Sequence, residues 1–168
     1  MKVYLIRHGP AVDIGEQGVK TDVARMLSAE GRAKSSTAAR GLCRVPEVAI
    51  ARIVSSPLIR ARETAEIFAE ALGVKRKVEL LPELTAGRSA MALASWLAAQ
   101  PPTDLALVGH MPDLADLAAA MACSGSSLDI VFKKAAVLCL EFEQRAMPGT
   151  GRIVWLLQPD VLRLLAKA

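Results

Sequence analysis

Lys2-Val3-Tyr4-Leu5-Ile6-Arg7-His8-Gly9 opens the chain as a short apolar run that ends on an imidazole. A second such run, Leu105-Ala106-Leu107-Val108, gives out at Gly109-His110. Short aliphatic and β-branched runs of this kind read as buried strands of an α/β sheet. Ligands of such sheets bind just outside the carboxyl ends of the strands. The chain has only two histidines. Both are therefore expected at one functional edge, adjacent in space although far apart in sequence. Histidine is the side chain best suited to carry a proton or a phosphoryl group near neutral pH.

Outward from these two runs, the chain alternates. A strand over 2–7 is followed by a polar segment, 9–27, and a helix over 29–44. A strand over 51–55 meets Ser56-Pro57, and a helix over 58–72 ends at Gly73. A strand over 77–81 leads through Pro82 to a helix over 89–100, which Pro101-Pro102 terminates. A strand over 104–108 precedes a helix over 112–122. Ala135–Phe142 and Ile153–Leu157 read as closing strands, and Asp160 is placed to cap a short C-terminal helix. This order predicts one three-layer α/β/α domain over residues 1–168 with a mostly parallel central sheet. The 9–27 segment is longer than compact domains usually tolerate without a purpose. It leaves directly after His8, so it should border the site. No other insertion is large enough for a lid, and an open site is expected.

Composition narrows the chemistry. With 168 residues the chain is long enough to bury its own core. Its apolar fraction of 52% and mean hydropathy of +0.32 exclude disorder. No stretch approaches the ~20 apolar residues of a membrane span, and the N-terminal run is too short for a signal peptide. A cytoplasmic protein is expected. Cys43, Cys123 and Cys139 show no CxxC spacing, so they read as small apolar fillers rather than as disulfides or metal ligands. No metal site and no cofactor is indicated.

Residues 1–88 carry 15 Lys and Arg against 10 Asp and Glu, while 89–168 carry 6 against 7. A basic half favours acidic partners such as phosphates. Aromatics make up only 4%, without the basic–aromatic interleaving that nucleic-acid binding needs. The dense run Lys75-Arg76-Lys77 reads as a solvated loop.

Four residues converge at strand ends: Arg7 and His8 after the first strand, Arg60 after the second, His110 after the fourth. Two guanidiniums and two imidazoles around one point make an oxyanion pocket, because planar charged forks match phosphoryl oxygens. Helices that begin near Pro57 and Pro112 would add backbone N–H donors. Gly9 and Gly109 suit close backbone approach to a bound anion. Arg62 and Glu63 read as helix surface, and Thr64, one turn from Arg60, is placed to orient it. Asp113 and Asp116 read as complements to a helix dipole.

Arg7-His8-Gly9, Ser56-Pro57-Leu58-x-Arg60-Ala61-x-x-Thr64-Ala65 and Gly109-His110-x-Pro112, in that order, resemble the histidine phosphatase superfamily, also called phosphoglycerate-mutase-like. The segment Leu80-Leu81-Pro82-Glu83-Leu84-Thr85 extends the likeness. Within the superfamily, the short chain most resembles the SixA-type phosphohistidine phosphatases. The resemblance implies a phosphoglycerate-mutase-like fold and a metal-independent phosphohydrolase. It implies that His8 is the phosphorylated nucleophile, with Arg7, Arg60, His110 and Gly9 around the phosphate. The chain departs from the usual pattern in two places. Arg25-Met26-Leu27-Ser28 stands where an Arg-Pro-Leu-Thr-like stretch is usual, and Met111 stands between His110 and Pro112.

Glu83 lies near where related mutases and ester phosphatases keep a general-acid glutamate. The plainer reading is a polar residue that caps the next helix. Expelling an alkoxide needs protonation, whereas imidazole, with a conjugate-acid pKa of about 6.5, leaves readily. The expected substrate is therefore phosphohistidine on a signalling or phosphotransfer protein. The alternatives are a small phosphomonoester or a non-catalytic phosphohistidine-binding module. A mutase would need a cap that this chain has no insertion to build, and no GxGxxG supports a dinucleotide site.

Overall fold

The computed structural model describes residues 1–123 and 128–167. Its strands are β1 (Lys2–Arg7), β2 (Arg52–Ser55), β3 (Glu79–Leu80), β4 (Leu105–Gly109), β5 (Val137–Glu141) and β6 (Arg152–Leu157). They form one sheet in the order β3-β2-β4-β1-β5-β6. The pairs β2–β3, β2–β4 and β1–β4 are parallel; β5 runs antiparallel to both β1 and β6. The helices are α1 (Ala29–Leu42), α2 (Ile59–Ala71), α3 (Ala90–Ala98), α4 (Asp113–Ala122) and α5 (Pro159–Leu165).

The four inner strands, β1, β2, β4 and β5, are buried on both faces, which is why they read as continuous apolar runs rather than as alternating ones. Val3, Leu5, Val54, Leu105, Leu107 and Leu138 point into a core shared with α3 and α4. Tyr4, Ile6, Ile53, Ala106, Val108 and Val137 point into a second core shared with α1, α2 and α5. The period of two along each strand thus builds the three layers.

Connectivity places the site. From β1 the chain passes into α1 on one face; from β4 it passes into α4 on the other. The adjacent carboxyl ends of β1 and β4 therefore flank the crevice at which such sheets bind ligands. In register, Arg7 lies opposite Gly109, and Ser55 opposite Val108.

Several expectations need correction. β3 is only two residues long, because it pairs with β2 at Val54 and Ser55 alone before Pro82 turns the chain away. Asp160 does not cap α5. Gln158 holds the cap position, and Asp160 sits in the first turn, paired with Lys133 at 3.5 Å and Arg163 at 3.7 Å. Glu83 does not cap α3, since Ser89 accepts the Ala92 N–H there at 3.3 Å. Of the cysteines only Cys139 is buried filler; Cys43 is exposed beyond the end of α1.

Candidate active site

The β1 ladder delivers His8 to the sheet edge, where its backbone N–H donates to Gly109 O at 3.0 Å. The Ser56 N–H donates to Val108 O at 2.9 Å and brings the β2 turn to the same edge. As a result the His8 and His110 rings face each other with centroids 5.0 Å apart. Arg60 follows in the first turn of α2 and is almost fully buried. Arg7 is half-buried beside them. The four residues singled out from sequence are thus brought together.

Hydrogen bonds set the tautomer of each imidazole. His8 Nδ1 lies 2.7 Å from Gly9 O, which can only accept, so Nδ1 carries the proton and Nε2 keeps its lone pair. His110 Nε2 lies 2.9 Å from Ser56 Oγ. Ser56 Oγ also accepts the Leu58 N–H at 3.3 Å. No other acceptor takes the Ser56 hydroxyl proton among the described residues, so that O–H donates to Nε2. The neutral His110 ring then carries its proton on Nδ1, where it is a donor.

Burial is the main cause that pushes the His8 pKa down to about 3; the Gly9 bond opposes it, and His110, Arg60 and Arg7 add to it. Burial likewise lowers His110 to about 4, helped by Arg60. Both rings are neutral at pH 7. Burial also lowers the Arg7 pKa. At this edge, three buried nitrogens have no partner among the described residues: Arg7 Nε, Arg60 Nε and His110 Nδ1. Such donors are costly to leave unmet, and together they form a cradle for oxyanion oxygens.

The two glycines are required by packing against the protein itself. A Cβ on Gly9 would stand 2.2 Å from Ser35 Oγ, and one on Gly109 would press on Leu114 and Leu84 at 3.2 and 3.4 Å. Thr64 acts on the backbone rather than on the Arg60 guanidinium. Its Oγ1 donates to Arg60 O at 2.7 Å and accepts the Gly9 N–H at 3.0 Å.

Two acids have structural partners that sequence reading did not anticipate. Asp22, in a short 3-10 turn (Asp22–Ala24) of the loop after His8, holds the Arg60 fork. Arg60 Nη2 donates to Asp22 Oδ2 at 2.9 Å, and Nη1 donates to Asp22 O at 2.8 Å. Arg25 Nη1 donates to Asp22 Oδ1 at 3.3 Å. Burial acts to raise the Asp22 pKa, but Arg60 and Arg25 outweigh it and hold the carboxyl below its ordinary range. The spacing Asp22-x-x-Arg25 in a loop leaving the nucleophile was the available signal.

Glu63, expected as surface, accepts the Leu27 N–H at 2.7 Å and pairs with Arg32 at 2.6 Å, so it anchors the end of the same loop. The loop closes on itself through Val12 N–H to Met26 O at 2.9 Å and Ser28 N–H to Pro10 O at 3.1 Å. Asp113 accepts the Gly87 N–H at 2.9 Å. The expectation of an open site is thus met only on the Arg7 side, because Asp22 covers Arg60. Glu83 is exposed in the Pro82–Leu84 turn, with no side-chain hydrogen bond or ion pair recorded among the described residues.

A three-layer fold with this paired-imidazole edge defines a class, and comparison with known proteins agrees. Residues 3–88 match the histidine phosphatase superfamily (branch 1), and the chain belongs to that superfamily. It is SixA-type in its full-length likeness. It is 28% identical over 171 residues to the phosphohistidine phosphatase SixA of Escherichia coli K12, covering 100% of this chain and 99% of that protein. The structure of the protein histidine phosphatase SixA complexed with tungstate superposes with a TM-score of 0.83 at 26% identity, covering 96% of this chain and 99% of that one. An uncharacterized protein of Picosynechococcus is 36% identical over 143 residues, 83% of this chain and 84% of that protein. The chain is accordingly a phosphatase of this superfamily. No helix among the described residues is long and apolar enough to cross a membrane.

Proposed function

We propose that the protein hydrolyses phosphohistidine carried by a signalling or phosphotransfer protein, through a phosphorylated His8. Nε2 of His8 attacks phosphorus in line, the P–N bond to the substrate ring breaks, and the phosphoryl group resides on His8. Water then attacks from the vacated side, breaks the His8–P bond and releases inorganic phosphate. Arg7, Arg60 and the Nδ1–H of His110 stabilise the charge on the equatorial oxygens; Gly9 contributes by close backbone approach. Ser56 positions His110 by donating its O–H to Nε2.

The observation that carries this choice of leaving group is the contact of Asp22 with Arg60, whose guanidinium lies 2.9 Å from the carboxyl and holds it below its ordinary range. An ionised carboxylate cannot protonate an alkoxide, and Glu83 is exposed, with no hydrogen bond to the phosphate cradle among the described residues. A substrate imidazole leaves neutral when its second ring nitrogen is protonated, so P–N cleavage needs no strong enzyme acid.

The test is dephosphorylation, with EDTA present, of a phosphohistidine-bearing phosphotransfer domain beside a panel of phosphate esters, with His8→Ala as control. Fast His8-dependent loss of the P–N phosphate with slow ester turnover supports the reading. Preference for one small ester overturns it.

A further inference from the structure

A groove of about 540 Å³ runs between α1, α5 and the Lys133-Lys134 turn, beside the imidazole pair rather than over it. Its inner end is Arg7 and Pro10, so it is continuous with the phosphate cradle through the Arg7 side chain. Ala33 and Pro159 also line it, and its charged lining is mostly basic. Lys34, Lys133, Lys134 and Arg163 join Arg7 there, against the acids Glu30 and Asp160. Both acids already have partners: Lys34 lies 2.6 Å from Glu30, and Lys133 and Arg163 share Asp160. Lys134 is exposed and has no ion-pair partner among the described residues. The groove therefore presents a net charge of +3 to whatever enters it, five cations against two anions.

The walls are held in place. Gln158 Nε2 donates to Val131 O at 2.5 Å, and the Lys133 N–H donates to Gln158 Oε1 at 3.3 Å, which ties this segment to α5. Arg7 Nη1 donates to Phe132 O at 2.6 Å, which ties the same segment to the catalytic edge. On the outer side, α1 and α5 meet so closely at Gly41 that a Cβ there would stand 2.0 Å from Leu162 O. The cationic rim thus has a fixed position relative to His8.

We propose that this groove docks an acidic face of the protein that carries the phosphohistidine, an inference that rests on the substrate reading above. Its charge is complementary to such a face. The groove also lies to one side of the pocket, where the body of a protein substrate sits once its phosphorylated side chain reaches His8. Rim charges of this kind act on encounter and on KM, and are screened by salt. They have no contact to make with a free phosphorylated amino acid, which fills the cradle alone.

The test compares K34E/K134E with K75E/K77E, which changes net charge equally but lies in the loop before β3, at the opposite edge of the sheet. Two substrates are used: an acidic phosphotransfer domain phosphorylated on histidine, and free N-phosphohistidine. At about 50 mM salt, where screening is weak, K34E/K134E is expected to lower kcat/KM for the domain about tenfold through KM. Free N-phosphohistidine should change less than about twofold, and K75E/K77E should leave both substrates near wild type.

Titration of the unphosphorylated domain gives a readout without turnover: binding by the wild type should weaken about tenfold in K34E/K134E. Equal losses on both substrates, equal effects of the two double variants, or no binding by the wild type would each overturn the docking proposal. If the wild type cleaves neither P–N substrate, the substrate reading fails, and the titration alone then decides the groove.

Discussion

Thr64→Val removes one oxygen from the fully buried link between α2 and the residue after His8. The side chain keeps its shape, but the Gly9 N–H loses its acceptor at 3.0 Å in a place water does not reach. An unsatisfied buried donor costs roughly 1–3 kcal/mol. The bond from Thr64 Oγ1–H to Arg60 O contributes less, because that carbonyl can keep its ordinary helical partner. A loss of about 2 kcal/mol lowers Tm by about 4–8 °C for a chain of this length. Gly9 O in turn holds His8 Nδ1, so a shift of Gly9 rotates the nucleophile. A displacement approaching 1 Å lowers kcat on the order of 10–100-fold. The assay is a thermal melt paired with single-substrate kinetics, with Thr64→Ser alongside. Serine keeps the oxygen and should recover kcat to within about threefold. A valine variant with wild-type Tm and wild-type kcat would refute the link.

The remaining predictions address the loop, the imidazoles and the leaving group. Gly31→Ala puts a Cβ 1.8 Å from Pro10 O, a backbone atom that cannot yield without moving the loop; a loss of about 2–4 kcal/mol is expected in chemical denaturation. Because the chain has two histidines, both in the site, their ring signals in NMR are unambiguous. With pKa values of about 3 and 4, neither ring should titrate with a midpoint above pH 5, and a midpoint near 6.5 would contradict the burial argument. Both values are depressed below the unfolded value of about 6.5, so the unfolded chain binds more protons between those limits. This stability contribution is present in full above about pH 6.5 and is lost as the pH falls toward 4; roughly 3–4 kcal/mol should disappear between pH 7 and pH 5. Denaturant midpoints across that range measure it. Glu83→Gln should leave P–N cleavage within about threefold while any ester turnover drops further, and equal loss on both substrates would make Glu83 a general acid.

Much of the fold was legible because its four inner strands are buried on both faces, and short apolar runs between helical segments leave few other arrangements. Those runs also located Arg7, His8 and His110, since each run stops where the sheet stops. The length of β3 was not legible, because it depends on how many residues of β2 remain exposed for pairing. Nor were the roles of the acids in the loop after His8. Asp22 lies 38 residues from Arg60, and Glu63 lies 36 residues from Leu27; nothing local distinguishes a loop or surface carboxylate from one that folds back onto a buried partner.

The order of elements and the identity of the four convergent side chains follow from periodicity and local chemistry, and so belong to the sequence. The proton positions on His8 and His110, the covering of Arg60 by Asp22, and the joining of the basic groove to the phosphate cradle were decided only by the tertiary structure. Each is a contact between segments distant in the chain or a carbonyl brought to a specific distance, and such contacts exist only once the sheet has set where its edges lie.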